Sequence, residues 1–127
     1  MNEAEQQAGL APTPGYQYAR RVGKQLFVSG QVPNDADGQI VGPDDPAAQT
    51  RQCLKNLNTL LRVHGFGPAD VQQLTIHVVG ERANLTAAWQ VITDAFPEGV
   101  PPATLLGVPV LGYAGQLVEI DATVIKS

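Results

Sequence analysis

The stretch VPPATLLGVPVLGYAGQLVEIDATVI, residues 100–125, is the part of the chain on which the fold depends most. Two apolar runs rich in β-branched residues flank the loop at residues 111–115, and this pattern predicts a β-hairpin with a longer loop. In the second run side chains alternate, so Glu119 and Asp121 share one strand face while apolar residues share the other. Two carboxylates on one face of an otherwise apolar strand indicate either a solvated face or a functional site.

Outward from this stretch, the hydrophobic periodicity predicts further regular elements. Strands are expected at residues 16–22, 24–32 and 71–79, and helices at residues 46–64 and 84–96. Asp45 is a suitable N-cap for the first helix, and Pro46 suits its first position because the missing N–H would be unpaired there. The predicted order is therefore β-β-α-β-α-β-β.

Each predicted helix has one apolar stripe, so both helices are expected to pack on a sheet in an α+β fold. Strand–helix–strand crossovers are right-handed, which places both helices on the same face of the sheet. The other sheet face is then uncovered, although the residues after Pro102 carry apolar side chains on both strand faces. A large uncovered apolar face is typical of an interface, so the sequence predicts an oligomer.

With 127 residues the chain is long enough for one domain, which we predict at residues 16–127 after a flexible N-terminal arm at residues 1–15. The net charge of −4 argues against nucleic-acid and membrane partners. The only cysteine, Cys53, allows no intrachain disulfide and fits a reducing compartment. Neither a signal peptide nor a long apolar run is present, so we expect a cytoplasmic protein.

The common catalytic motifs are missing from the sequence: there is no nucleophile elbow and no glycine-rich phosphate loop. The spacing of His64, His77 and Cys53 argues against a structural metal site. Cys53 lies on the apolar helix stripe and fits a buried hydrophobe better than a nucleophile, and His77 fits a solvated or satisfied histidine better than a catalytic one. The remaining candidates are polar residues at strand ends or on the uncovered face: Tyr16, Ser29, Gln31, Gln73, Thr75, Glu119 and Asp121.

Glu119 is the strongest of these candidates. A carboxylate on a face that becomes an interface is partly removed from water, and such a group suits the transfer of protons. The structural alternatives are a carboxylate that accepts hydrogen bonds from backbone N–H groups, or one paired with an arginine across the interface. Composition alone leaves the catalytic and structural interpretations open.

Four segments together resemble the YjgF/RidA (reactive intermediate deaminase) family, and the similarity extends from about residue 15 to the C-terminus. They are Ser29-Gly30-Gln31 after a hydrophobic strand, Ala48-Gln49-Thr50 with Asn56-Leu57 in the first helix, Pro102-Ala103, and the closing residues 118–122. The resemblance implies a chorismate mutase-like fold, a mixed sheet with two helices on one face. It also implies a homotrimer with ligand clefts between subunits, in agreement with the uncovered face.

Deaminating members of that family hydrolyse reactive enamines and imines such as 2-aminoacrylate, without a metal or cofactor. The resemblance implies that an arginine in a Pro-Ala-Arg motif binds the substrate carboxylate through two charge-assisted bonds. This chain has Thr104 at that position, and the lost contact is worth about 1.5–3 kcal/mol. Arg20, Arg21 and Arg82 are alternative sources of charge. The other site residues match the family pattern: Glu119 as the proton-transferring group, with Tyr16, Ser29 and Gln31 in the substrate cleft.

The sequence therefore leads to two main hypotheses. The first is an enamine or imine deaminase, or a related hydrolase, in which Glu119 transfers protons or orients water and Thr104 replaces the carboxylate-binding arginine. The second is a non-catalytic trimer that binds a small metabolite between subunits. An RNA-cleaving activity is disfavoured, because the chain is acidic and has no basic patch interleaved with aromatic residues.

Overall fold

A computed structural model describes all residues, 1–127, as one five-stranded sheet with helices. The α-helices are α1 (Glu3–Gln7), α2 (Pro46–Val63) and α3 (Arg82–Ala95), and a 3-10 turn covers Pro68–Asp70. The strands are β1 (Ala19–Val22), β2 (Gln25–Val28), β3 (Val71–Val79), β4 (Ala103–Val108) and β5 (Val118–Ile125). The predicted order β-β-α-β-α-β-β is confirmed from β1 onward, and a turn at Gly23 joins β1 to β2.

Helix α2 begins as its sequence predicts. The Asp45 carboxylate accepts a hydrogen bond from the Ala48 N–H at 3.0 Å, and Pro46 occupies the first turn. The helix ends one residue before His64, and Gly65 then adopts a left-handed conformation with φ of 79°. Its apolar stripe is buried. The capping residues and the buried stripe therefore assign the helix to the same part of the sequence.

The strand order is β1-β2-β5-β3-β4, with β3 and β4 parallel and all other pairs antiparallel. The predicted C-terminal hairpin is therefore wrong, because β4 and β5 are not neighbours and β3 lies between them. Strand β4 closes a parallel strand–helix–strand unit with β3 and α3. The segment after β4 then leads back across the sheet and inserts β5 at its centre.

Both long helices pack on one face of the sheet, as predicted. Ile76 of β3 and Ile120 of β5 point to that face and are 0% exposed. The opposite face, which we call the open face, is uncovered within one chain. Large apolar side chains remain accessible there, including Phe27 at 53% and Leu106 at 43% exposure. The mixed sheet with helices on one face matches the predicted α+β class.

Residues 1–15, predicted as a flexible arm, lie against the domain. Leu10 is 3% exposed and belongs to a small apolar cluster with Tyr18 and Leu60. Glu5 is also buried, and its carboxylate lies 2.7 Å from Nε2 of His64 at the end of α2. The mobility of this segment in solution stays a prediction.

None of the helices combines the length and the apolar character needed to cross a membrane.

Candidate functional site

Glu119 lies on the open face of β5, at the centre of the sheet. Its Oε1 accepts a hydrogen bond from Nε2 of Gln116 at 3.3 Å. The backbone that follows β2 passes directly beside the carboxylate, since a Cβ added to Gly30 would lie 2.6 Å from Oε2 of Glu119. The same Cβ would lie 2.8 Å from Oδ1 of Asp121, so Gly30 brings the chain close to both carboxylates. A side chain at this position would require both carboxylates to move.

The surroundings of Glu119 test the two structural roles considered for it, a carboxylate bonded to backbone N–H groups and one paired with an arginine. Its carboxylate accepts no hydrogen bond from a backbone N–H group, and its one hydrogen-bond donor is the Gln116 amide. The only ion pairs of the chain join histidines to carboxylates, and Glu119 is in neither, so no lysine or arginine of the same chain lies within 4.0 Å of it. An arginine from a second subunit stays a prediction. Within one chain, therefore, neither structural alternative applies.

Tyr16 and Tyr113 are in contact, with their hydroxyl oxygens 3.1 Å apart. Partial burial raises the pKa of Tyr16 well above its ordinary value, the hydrogen bond with Tyr113 raises it further, and the charge of Glu119 adds a smaller contribution. The Tyr16 phenol therefore stays protonated at neutral pH and can donate a hydrogen bond.

Ser29 and Gln31 flank Gly30 in the segment that follows β2, and backbone hydrogen bonds hold this segment in place. Gln31 is 1% exposed, and its Nε2 donates to the Ser29 carbonyl at 2.8 Å. Its backbone N–H and carbonyl both pair with Ile120, at 2.8 and 3.1 Å. The Ser29 hydroxyl is buried without a hydrogen-bond partner. Gln31 therefore fixes the backbone beside Glu119, while Ser29 holds an unused hydrogen-bonding group.

Thr104 lies on the edge strand β4, where it is exposed. It pairs with Thr75 of β3, which in turn pairs with Asp121 of β5. Two strand spacings, about 10 Å, separate its backbone from that of β5. A single chain therefore does not bring Thr104 to Glu119.

The three arginines proposed as substitute charges occupy different places. Arg20 lines a cavity of about 520 Å³ together with Tyr16 and Ser29. The Arg21 guanidinium lies 5.0 Å from the centre of the Phe66 ring, and its Nε donates to the Gly23 carbonyl. Arg82 is exposed at the start of α3. Only Arg20 shares a cavity with predicted site residues.

Two more side chains lie next to Glu119: His77, which the sequence disfavoured as a catalytic residue, and Asp121, which it kept among the candidates. Nε2 of His77 is 3.8 Å from Oδ2 of Asp121, and its Nδ1 is 3.4 Å from the Glu119 carbonyl oxygen. One ligand atom from each of the three side chains lies within 4.8 Å of the others. A nitrogen and two carboxylate oxygens are donors that a divalent cation accepts. The prediction of a metal-free protein is not tested by this geometry and stays a prediction.

Two further residues at the site, Tyr113 and Gln116, were missed by the sequence analysis. Gln116 is 3% exposed, its Oε1 accepts from the Tyr113 N–H at 3.2 Å, and its Nε2 donates to the Val118 carbonyl as well as to Glu119. The sequence did contain a signal for them. Tyr113 and Gln116 are the only residues of an otherwise apolar loop whose side chains form strong hydrogen bonds. The incorrect hairpin assignment treated that loop only as the connection between two neighbouring strands.

Cys53 is 0% exposed under β5, and burial raises the pKa of its thiol, with a smaller contribution from the charge of Glu119. This confirms its interpretation as a buried hydrophobe.

Comparison with known proteins gives the family. The sequence model described as Endoribonuclease L-PSP matches residues 6–126, nearly the whole chain. A RutC family protein of Pyrococcus horikoshii is 30% identical over 118 residues, which cover 91% of this chain and 92% of that protein. The chain belongs to this family. It is the YjgF/RidA family that the residue pattern resembled.

Two solved structures of similar proteins agree with the fold. YyfA of Yersinia pestis, described as a Rid family protein of unknown function, is 30% identical with a TM-score of 0.80, and the match covers 91% of this chain and 93% of YyfA. A structure of Escherichia coli TdcF with bound serine has a TM-score of 0.84 at 22% identity, with 95% of each chain covered. At this identity, the similarity to TdcF supports the fold and nothing further.

Proposed function

We propose that this protein is a RidA-like deaminase, or a related hydrolase, that acts on the C=N bond of a small reactive enamine or imine. The observation that carries the proposal is the Glu119 carboxylate, held beside Gly30 on the open face with neither a lysine or arginine partner nor a backbone N–H donor. A carboxylate placed in this way is free to accept and return protons.

The proposed reaction needs one water and no redox partner. The reacting species is the protonated imine, which an enamine forms by taking up a proton at carbon. Glu119 accepts a proton from water as the oxygen adds to the imine carbon, which gives a neutral carbinolamine. Glu119 then returns this proton to the nitrogen, the carbon–nitrogen bond breaks, and the departing ammonia takes up the hydroxyl proton, so a carbonyl product and an ammonium ion are released. Tyr16, whose phenol stays protonated, donates a hydrogen bond to the substrate.

Whether the substrate carries a carboxylate depends on which positively charged side chains reach the cleft. Thr104 offers a hydroxyl but no charge, so a carboxylate on the substrate needs another partner. Arg20 is the candidate, because it shares a cavity with Tyr16 and Ser29. We assign Ser29 to substrate contact and Gln31 to positioning, since the Gln31 side chain is buried against the Ser29 carbonyl.

We further propose that the cleft is completed by a homotrimer associated through the open face, in the cytoplasm. The exposed apolar side chains of that face support association. A second subunit would also explain how Thr104, remote from Glu119 within one chain, reaches a ligand.

Thr104 favours one alternative, a trimer of the same family that binds a small metabolite without turnover. Without a bidentate arginine, a substrate carboxylate is held less firmly in the geometry that the reaction requires.

The test generates 2-iminopropionate and other imines in the assay and follows their hydrolysis. We expect wild-type activity to fall at least 100-fold in Glu119→Gln, because the amide cannot accept the proton from water. Asp94→Gln, on the far side of the protein, serves as the control and should be fully active. Thr104→Arg should increase kcat/KM selectively for substrates with a carboxylate.

Two outcomes would decide against the proposal. An unchanged Glu119→Gln would remove the role given to Glu119. A wild type inactive on every imine, together with an active Thr104→Arg, would favour the binding protein.

A further inference from the structure

A row of basic side chains follows the outer side of α2, away from the proposed site. Arg51, Lys55 and Arg62 lie at helical positions i, i+4 and i+11, with Asn58 between them at i+7. Positions at these steps share one helix face, and the row is about 17 Å long. The side chains line one wall of a groove of about 630 Å³ between α2 and α3.

The groove carries a positive charge, although the protein as a whole is acidic. None of the three basic side chains lies within 4.0 Å of a carboxylate oxygen, since the only ion pairs of the chain involve His64 and His77. The single carboxylate that lines the groove, Asp94, accepts a hydrogen bond from Gln90 of its own helix. Three of the eight lysines and arginines therefore face one groove of a chain with a net charge of −4. Such a local potential attracts a negatively charged partner.

The floor of the groove is apolar. Leu54 and Val91 are 8% and 9% exposed at its base, beside Ala95, and no aromatic ring lines it. A single-stranded nucleic acid binds through stacking on aromatic side chains as well as phosphate contacts, so this lining suits it poorly. A linear row of cations beside an apolar floor suits an amphipathic segment with acidic and apolar residues on adjacent faces.

We propose that the α2–α3 groove binds an acidic amphipathic peptide segment of a partner protein. The acidic side chains pair with Arg51, Lys55 and Arg62, and the apolar side chains cover Leu54 and Val91. The groove lies on the helical side, opposite the open face, so it stays accessible when the open face associates. The proposal is therefore independent of the proposed deaminase function.

The test measures fluorescence anisotropy of a labelled peptide of about 12 residues, enough for 17 Å of helix, with Glu at one-turn spacing and Leu on the adjacent face. We expect the double variant R51Q/K55Q to weaken binding at least tenfold. The control K24Q/R82Q removes the same charge at exposed positions outside the groove and should change binding less than twofold. Circular dichroism checks that both variants fold as wild type does.

Three results would overturn the proposal. Equal weakening in both double variants would mean that only the overall charge matters. Equal binding of a peptide with Ser in place of Leu would remove the role of the apolar floor. Tighter binding of a single-stranded RNA oligonucleotide at the same salt concentration would replace the partner class.

Discussion

At the residue scale, the absence of a side chain at Gly30 leaves room for the carboxylates of Glu119 and Asp121. A methyl group at this position would meet the ends of the Glu119 and Asp121 side chains. Both are flexible enough to move, and the backbone of Gly30 does not require a left-handed conformation. The site is therefore more sensitive to this residue than the fold is.

We accordingly expect Gly30→Ala to reduce kcat/KM for imine hydrolysis about tenfold or more, because small displacements of a catalytic group are costly. The thermal midpoint should change by only a few degrees. Gly67→Ala is the matched control, since a Cβ there meets no atom within 4 Å. Loss of stability in parallel with activity would show instead that Gly30 supports the fold.

Tyr18 gives a prediction on pH dependence. Burial raises its pKa to about 12, with smaller contributions from Tyr113 and Glu5, while the unfolded chain titrates near the ordinary value of 10. A raised tyrosine pKa stabilises the folded state fully below pH 10, and this contribution is lost as pH rises toward 12.

Tyr18→Phe should therefore unfold more easily at pH 7, by about 1 kcal/mol, because it lacks the hydrogen bond to the Ala11 carbonyl. Between pH 10 and 12 the stability of wild type should fall toward that of the variant. Urea unfolding across this range measures the difference. A constant difference would contradict the raised pKa.

At the element scale, helix α1 is held by a local capping box and by contacts with residues distant in the sequence. Glu5 accepts a hydrogen bond from the Asn2 N–H within a capping box and also lies against His64, which is 59 positions later in the chain. The N-terminal sequence predicted a flexible arm because it is polar and Ala-rich and ends at Pro12 and Pro14. A distant histidine and a small apolar cluster supply the ordering contacts instead.

Glu5→Ala should lower the free energy of unfolding by about 1–3 kcal/mol, because it removes a buried hydrogen-bonding group and leaves its partners unsatisfied. Glu3→Ala, in the same helix but exposed, should change it by less than about 0.5 kcal/mol. Urea denaturation followed by circular dichroism compares the two. Equal small effects would indicate that α1 is mobile in solution, as the sequence predicted.

At the scale of the whole molecule, the open face should set the oligomeric state. We expect light scattering to give a mass of about 40 kDa, three times the chain mass of 13.4 kDa. Phe27→Glu places a charge among exposed apolar side chains and should shift the protein toward monomers. Ala83→Glu, on the helical side, should leave the trimer intact. A monomeric wild type at micromolar concentration would contradict the interface argument.

The sequence by itself determined the element types from β1 onward, some of their bounds and the buried face of β5. Helix α1 was not predicted, β1 begins three residues later than expected, and β2 ends four residues earlier. Strand β3 matches its prediction at both ends, and α2 differs by one residue. These features depend on short-range causes: capping at Asp45, and side-chain alternation, which fixes which face meets the helices. Tyr16, Ser29, Gln31, Thr104 and Glu119 could be named as candidates for the same reason, since a motif is a local pattern.

Only the tertiary structure decided which strands are neighbours and which side chains meet. Tyr16 reaches Tyr113 across 97 positions, and β5 lies between β2 and β3 rather than beside β4. Every strand edge presents the same backbone donors and acceptors, so alternation specifies a face but not a partner. The partner follows from how the whole chain buries its apolar surface. That choice places Gly30, His77 and Gln116 around Glu119, and Thr104 two strands away.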